Sequence, residues 1–559
     1  MMKLLLAAIN AKYIHSNPAV YSLRAYAGQG YENIAIAEYS VNERTEDILA
    51  DIFRRGPEVV AFSCYIWNME TVSRILPELH KLLPETAVWL GGPEVSFRCA
   101  KLLNDYQQVT GIMVGEGEAT FADLCAFYFE KKGSLKDIKG LWLQPRFGNG
   151  NAPFYTGDRE PLTLSELPFL YPEPEKFANR IIYYESQRGC PFRCSYCLSS
   201  VEKSVRLKPT EQVLSELQHL LDCRVPQVKF VDRTFNCNHE HACTIWRYLT
   251  EHDNGVTNFH FEIAADILTD EEMEILASLR PGLFQLEIGI QSTNPDTIRA
   301  VNRTMDWELV AERVHSLVAF HNMHIHVDLI AGLPYEGLES FRKSYDDVFA
   351  LGAEMLQLGF LKVLHGAPIE ENAGKYGIIC QDIPPYEVLY TKWLTFADIL
   401  ELKSVEEMTE IYYNSNQYRF TLRWALKGAE SPYGFFHRLA VFYRENGYTV
   451  NQPSRMKRYD VLREFLIKDS ALTDTELLDE LLTVDLYLRE NCKSRPAFAR
   501  ALKPYREFLS GKESTNVHEE VFFYDVFADE PKSGKPIIVQ FHYDKRDALT
   551  NNASVSYRR

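Results

Sequence analysis

The sequence is short of several things, and each shortage narrows its class. It has no apolar run of the roughly 18 residues needed to span a bilayer, so no membrane helix is expected. It is poor in positive charge: 60 Lys and Arg stand against 77 Asp and Glu, a formal net charge of -17. That balance argues against a general nucleic-acid or anionic-membrane binder and makes RNA a disfavoured substrate. A secretory leader is not expected either. The opening Met1-Met2-Lys3-Leu4-Leu5-Leu6-Ala7-Ala8-Ile9 has a short apolar part and no clear mature start, so it reads as the first buried strand of an α/β domain in a cytoplasmic protein. There is no disulfide framework, because the eleven cysteines are odd in number and eight of them are scattered. Neither an internal repeat nor a long low-complexity tract is present.

What the chain does contain is apolar material for large cores: 46% hydrophobic and 13% aromatic residues over 559 positions. At about 100–200 residues per domain, three domains are expected. Residues 1–165 alternate strand and helix. Val59–Ser63, Ala87–Leu90 and Gly111–Val114 read as strands, and the last two end in the glycine turns Gly91-Gly92-Pro93-Glu94 and Gly115-Glu116-Gly117-Glu118. That is the pattern of a doubly wound, Rossmann-like parallel sheet, whose ligands sit beyond the carboxyl ends of the strands. A Pro- and Glu-containing linker spans about 167–176. Residues 177–370 again alternate, with strands at Gln227–Val231, Asn258–Ile263, Phe284–Ile290, His324–Ile330 and Met355–Lys362, which suits a complete or partial (β/α) barrel. Residues 384–559 read as a mainly helical domain with a terminal hairpin formed by Val521–Phe527 and Pro536–His542. Its aromatic run Tyr412, Tyr413, Tyr418 and Phe420 reads as core rather than as pocket lining.

The sharpest feature is Cys190, Cys194 and Cys197, spaced C-x3-C-x2-C directly after an apolar strand. Thiolates are soft ligands suited to iron–sulfur clusters or zinc. A four-iron cluster commonly takes four cysteines; three would leave one iron open to a substrate. Zinc is the alternative, but it usually takes four ligands in separated pairs, and Cys223, Cys237 and Cys243 form no second pair.

This loop, with aromatic Tyr196 before its last cysteine, resembles the radical S-adenosylmethionine (SAM) superfamily. The resemblance implies a 4Fe-4S cluster on the three cysteines, with SAM on the open iron and cleaved by one electron to a 5′-deoxyadenosyl radical. The electron would come from a donor such as flavodoxin or ferredoxin. Leu286-Glu287-Ile288-Gly289-Ile290-Gln291-Ser292, followed by Asn302-Arg303, resembles the family's fourth strand, with Gln291 expected on the ribose of SAM. Asp328-Leu329-Ile330-Ala331-Gly332 resembles a later strand, and Leu361–Pro368 the closing one. By the same resemblance Phe192, Tyr196, Glu287 and Asp328 are expected among the cofactor contacts. In place of the common Gly-Gly-Glu of the second strand stands Phe230-Val231-Asp232-Arg233-Thr234-Phe235-Asn236, which looks like the variant of cobalamin-dependent members and leaves the contacts of SAM's amino group unassigned.

The two glycine turns, with Ser63-Cys64-Tyr65-Ile66-Trp67-Asn68, resemble the cobalamin-binding domain that precedes many radical SAM domains. The expected contacts are Ser63, Trp67, Gly91, Gly92, Glu94, Gly115, Glu116, Gly117 and Glu118. The Asp-x-His-x-x-Gly loop that ligates cobalt in the mutases and methionine synthase is not found. His15 is a substitute for it only by proximity to the first strand, so the lower face of cobalt stays unassigned. Together the two domains resemble the class that includes the anaerobic magnesium-protoporphyrin ester cyclase and the cobalamin-dependent radical methyltransferases, with an uncharacterised helical domain behind. Methyl transfer to an unactivated centre of a small molecule is the leading expectation. Cobalamin-dependent ring closure or rearrangement is its alternative. Less favoured are methylthiolation, which would need a second cluster, for which Cys64, Cys99 and Cys125 invite comparison, and a non-enzymatic redox or cobalamin sensor.

Overall fold

The structure, a computed structural model, describes residues 3–28, 31, 33–202, 204–469, 474–492, 494–509 and 516–558. The chain divides into two compact units. The first holds Met1–Ile275, Val301–Thr304 and Leu361–Leu389; the second holds Leu276–Ala300, Met305–Phe360 and Tyr390–Arg559.

The first unit opens with a seven-stranded sheet. β1 (Leu4–Asn10), β2 (Ile34–Ser40), β3 (Val59–Ser63), β4 (Ala87–Gly91) and β5 (Val109–Met113) run parallel in the order β2-β1-β3-β4-β5. The short β6 (Leu141–Leu143) and β7 (Phe154–Tyr155) extend it antiparallel. All seven residues of β1 are buried, because helices cover both faces of the sheet. Leu5, Ala7, Phe62 and Leu90 enter the core on one face, and Leu4, Leu6, Ala61 and Trp89 that on the other. The strand order reverses between β1 and β3, the place where doubly wound sheets take their ligands.

Strand and helix continue to alternate in the same unit. β8 (Ile182–Tyr184), β11 (Gln227–Phe230) and β12 (Asn258–Ile263) pair in parallel, with helices Thr210–Asp222 and His239–Glu251 between them. Between β8 and β11 a small antiparallel pair, β9 (Gln187–Arg188) and β10 (Arg206–Leu207), stands apart. Near the end of the unit come β16 (Ile379–Cys380) and β17 (Val388–Tyr390).

In the second unit β13 (Phe284–Gln291), β14 (His324–Ala331) and β15 (Met355–Phe360) are parallel in that order, joined by helices Trp307–Ala319 and Leu338–Phe349. These repeats carry the (β/α) pattern of a partial barrel. Helices Phe396–Met408, Arg419–Lys427, Pro432–Glu445, Arg455–Asp469 and Thr475–Arg489 follow, with a π-turn at Thr409–Asn414. Tyr412 and Tyr418 are fully buried, with ring centroids 4.8 Å apart, so the aromatic run packs as core. The terminal hairpin is present as β18 (Val517–Tyr524) and β19 (Ser533–Arg546), and a third strand, β20 (Ala553–Arg558), completes it. β20 was not predicted from the sequence, although Ala-Ser-Val-Ser-Tyr-Arg alternates apolar and polar residues. Among the described residues no helix is long and apolar enough to cross a membrane.

Candidate functional site

The three cysteines lie on one loop of the first unit. β9 pairs with β10 so that Arg188 opposes Arg206 and Gln187 opposes Leu207, closing the base of the loop that carries the cysteines. The chain enters through Gly189 at φ +95°, where a Cβ would lie 2.0 Å from the Ser204 carbonyl oxygen; no other residue fits. The far side is pinned by backbone bonds: Ser195 N–H donates to Val301 O (2.8 Å), and Ile369 N–H donates to Ser195 O (2.8 Å). Cys190 and Cys194 are buried and Cys197 half-buried. Cys190 Sγ lies 3.5 Å from Thr234 Oγ1 and accepts from the Phe192 N–H. Arg303 Nη1 lies 3.7 Å from Cys194 Sγ and 3.3 Å from the Tyr196 hydroxyl, so a half-buried cation stands beside the thiols. Nothing in local sequence points to Arg303 as a neighbour, 109 residues from Cys194.

Burial pushes the Cys190 thiol above its ordinary value, so ligation would have to expel its proton. Among the described residues no group of three or more His, Cys, Asp or Glu is gathered so as to hold a single metal ion. The three thiols share a loop without converging on one point. In a four-iron cluster each thiolate binds its own iron, so an all-sulfur donor set of this kind suits the cluster without such convergence.

Asp232, at the end of β11, underlies this loop. It is fully buried and accepts from Ser186 N–H (2.9 Å), Gln187 N–H (3.1 Å) and the Ser186 hydroxyl. His241 Nε2 lies 3.1 Å from Ser186 Oγ. Burial raises the Asp232 carboxyl to about 7 against the lowering effect of these hydrogen bonds, and burial lowers His241. Gln187 Nε2 donates to Thr234 O at 2.7 Å, and Asn236 pairs twice with the Ala264 backbone. The Asp-Arg-Thr-Phe-Asn segment is therefore the floor on which the cysteine loop is built.

At the carboxyl rim of the first sheet, Asn68 organises the turn after β3. It donates to Ile9 O (3.0 Å) and Ser63 O (2.8 Å) and accepts from Tyr65 N–H (2.9 Å). Trp67 stacks on Tyr65 with centroids 4.3 Å apart, donates to Ile9 O and stays 45% exposed, which offers a flat aromatic face. Ser63 Oγ accepts from Asn17 Nδ2 at 3.3 Å. The glycines differ in purpose. Gly92, at φ +112°, lets its turn close on β3, since a Cβ would meet Cys64 O at 2.4 Å. A Cβ on Gly91 would press on Met113, and one on Gly117 would meet Leu23 at 2.9 Å. Gly115, at φ +78°, has no atom within 4 Å of where a Cβ would stand, so the space beside its backbone is open.

The three acidic residues of the turns are committed to protein partners within the unit. Glu94 accepts from the Tyr386 hydroxyl and Arg98. Glu116 accepts from Leu162 N–H (2.7 Å) and pairs with Arg206; Glu118 accepts from Ser22 Oγ (2.9 Å) and Arg188 Nη2 (2.6 Å). His15 is likewise engaged, its Nδ1 on the Tyr183 hydroxyl, and burial with Lys12 and Lys229 lowers its pKa. Cys64 and Cys99 sit in the core on one face of the sheet and Cys125 in the core on the other, so they build no second cluster site.

Glu287, Gln291 and Asp328 belong to the second unit. Strict alternation on β13 and β14 buries Leu286, Ile288, Val327 and Leu329 and leaves Gln285, Glu287, His324, His326 and Asp328 along one half-buried face. Glu287 opposes His326 in the ladder and Asp328 opposes Gly289. Gln285 Nε2 lies 3.1 Å from His326 Nε2. Gln291 ends β13 at a register shift with φ +74°, and its buried Oε1 has no partner, as a side chain awaiting a polar ligand would.

With this geometry in view, the sequence matches the B12 binding domain over residues 4–125, the radical SAM superfamily over 184–348 and DUF4080, a protein family of unknown function, over 374–552. It is 24% identical over 395 residues to the 2-(S-pantetheinyl)-carbapenam-3-carboxylate methyltransferase of Streptantibioticus cattleyicolor, covering 67% of this chain and 56% of that protein. It is 21% identical over 333 residues to the anaerobic magnesium-protoporphyrin IX monomethyl ester cyclase of Rubrivivax gelatinosus, covering 56% and 58%. The cobalamin-dependent SAM radical enzyme OxsB, solved with aqua-cobalamin and SAM, shares the fold at a TM-score of 0.57 and 16% identity, over 86% of this chain and 78% of that one. The chain spans only about half to two thirds of the length of the curated relatives it matches. Three family models thus follow one another along the chain: the B12 binding domain, the radical SAM superfamily and DUF4080.

Proposed function

We propose that this protein is a cobalamin-dependent radical SAM enzyme that methylates an unactivated carbon or phosphorus of a small-molecule substrate. The observation that carries the reading is one unit holding both a glycine-hinged loop with three thiols and the open carboxyl rim of a B12-type sheet. When bound, the 4Fe-4S cluster and SAM supply a 5′-deoxyadenosyl radical, and cobalamin supplies the methyl group.

The chain's own groups position and shield. Cys190, Cys194 and Cys197 would hold the cluster, and Arg303 would offset the negative charge its thiolates bring into a buried setting. Phe192 and Tyr196, which lie between the cysteines in the loop, would contact the bound cofactors. Gln291, with Glu287 and Asp328, would hold SAM by its polar edges. Trp67, Ser63 and the backbone at Gly91, Gly92, Gly115 and Gly117 would cradle the corrin; Glu94, Glu116 and Glu118 would shape the cradle through their protein partners. A flavodoxin- or ferredoxin-like donor supplies the electron, and a cytoplasmic setting suits both.

Iron and cobalt are to be measured per chain after anaerobic purification with cobalamin supplied. About four irons and one cobalt are expected at the usual stoichiometry, followed by 5′-deoxyadenosine and transfer of label from methyl-labelled SAM. Iron without cobalt would sink the methyl-transfer reading and leave a generic radical SAM activity. The similarity to the cyclase favours a second reading, cobalamin-dependent ring closure; it predicts 5′-deoxyadenosine and product with no label from the methyl group. A sensor would turn over no SAM at all.

A further inference from the structure

We infer that Arg188 and Arg206, gripped by Glu116 and Glu118, form a clamp that fixes the cluster loop against the B12 binding domain and so sets the spacing of the two cofactors. The inference rests on the proposed function. It assigns the Gly115-Glu116-Gly117-Glu118 turn a positioning role rather than one of direct contact with cobalamin.

The geometry is specific. Arg188 immediately precedes the Gly189 hinge. Its Nη2 donates to Glu118 Oε1 at 2.6 Å, Nη1 reaches Glu118 Oε2 and Glu116 Oε1 at 3.4 Å each, and Nε donates to Glu185 Oε1 at 2.9 Å. Every edge of the guanidinium is used, as bidentate recognition requires. Arg206 stands opposite Arg188 on the other stem strand. It binds Glu116, Glu202 at 2.5 Å and Leu162 O at 2.6 Å. Both stems of the loop are thus tied to one turn of the sheet, at residues 70 and 90 positions away in the chain.

The site is built to be rigid. The side chains of Glu118 and Arg188 are only 7% and 15% exposed, and Ser22 Oγ holds Glu118 from behind. A fold needing only a tethered loop could use an apolar contact at less desolvation cost. Paired arginines across a two-residue ladder instead lock direction as well as distance. Reduction and group transfer between two bound cofactors depend on that distance and orientation.

The test uses the full chain, loaded anaerobically with iron, sulfide and hydroxocobalamin and then reduced. Pulsed electron paramagnetic resonance reads the spin–spin interaction between the cob(II)alamin and the reduced cluster, and hydrogen exchange reads amides 187–207. Wild type must first load both metals; if it does not, the proposed function fails, and the clamp is not what has been tested. In Arg188→Met and in the milder Glu118→Gln, iron and cobalt contents are expected to hold. The interaction should weaken or broaden, and exchange at 187–207 should rise about tenfold or more, the loss of a charged hydrogen bond. Arg188→Lys should fall between, and the exchange of charges in Arg188→Glu/Glu118→Arg should recover part of the protection. Unchanged interaction and unchanged exchange in a fully loaded Glu118→Gln protein would overturn the clamp. So would a charge-exchanged protein no better than either single variant.

Discussion

Gly189 and Asp232 decide the shape of the cluster loop from beneath. Gly189→Ala puts a Cβ 2.0 Å from a backbone oxygen in a left-handed conformation, at a cost of at least about 1–3 kcal/mol; iron content after anaerobic reconstitution should fall well below wild type while the rest of the protein stays folded. Asp232 makes a pH prediction. Its folded pKa, about 7, is raised above the unfolded value near 3.9. The folded state therefore binds the extra proton more tightly, and the stability this contributes is full below about pH 4 and is lost as pH rises through about 7. In Asp232→Asn the amide reproduces the neutral carboxyl, accepting from the Ser186 and Gln187 N–H groups and donating to Ser186 Oγ. Its loop stability should be flat across that window by thermal melts from pH 4 to 8. Asp232→Ala orphans two buried N–H groups and should cost about 1–3 kcal/mol at every pH. The cysteines themselves were legible, because three thiols within eight residues after a strand have few uses. Asp232 as loop floor was not: its partners lie 45 and 46 residues away, and only folding brings them under it.

At the scale of the element, β13 and β14 were legible because a strand buried on one face must repeat every second residue, whereas the seven-residue β2 was not predicted. Elements set by distant partners escaped. β6 and β7 are short, and they and β20 owe their place to the strands they pair with. The acidic turn after β5 looked like a ligand cradle because its glycines are visible in sequence while Arg188 and Arg206 are not visibly near it. Helix Arg419–Lys427 shows the same dependence on long-range capping. Its cap position is Tyr418, whose side chain caps nothing; the Phe420 and Thr421 N–H groups are satisfied instead by fully buried Asp485, both at 2.9 Å. Asp485→Ala should lower stability by about 1–3 kcal/mol, visible as an earlier melt of the helical segment by circular dichroism. Asp485→Asn, which still accepts, should cost less. Burial raises the Asp485 carboxyl to about 7, above its unfolded value, so wild type should gain stability as pH falls from about 7 toward 4 while Asp485→Asn, which does not titrate there, stays flat.

For the molecule as a whole, the DUF4080 segment from Tyr390 onward is woven into the second unit rather than appended to it. β15 ends its ladder, and Asn414 of the π-turn covers the exposed backbone, accepting from Leu356 N–H at 2.9 Å and donating to Leu356 O at 3.0 Å. Buried Tyr345 of helix Leu338–Phe349 shares a 2.8 Å hydrogen bond with Thr409, and on the same helix Arg342 Nη2 reaches Glu401 at 2.8 Å and Asp346 accepts from Tyr433 N–H at 2.7 Å. Ending the chain after Leu389 would therefore bare the edge of β15, orphan the Leu356 backbone and expose the apolar flank of Leu338–Phe349 along with it. Such a truncated protein should aggregate or lose the cooperative melt of residues 276–360, whereas a domain joined only through a linker would leave that melt unchanged. Asn414→Ala isolates one thread of the same weave: it leaves both Leu356 backbone groups unpaired, should cost about 1–3 kcal/mol, and should raise hydrogen exchange at Leu356 before any change is seen at 182–188 in the first unit. Equal exchange at the two places would mean that the loss is global, and the capping role of Asn414 would then fail.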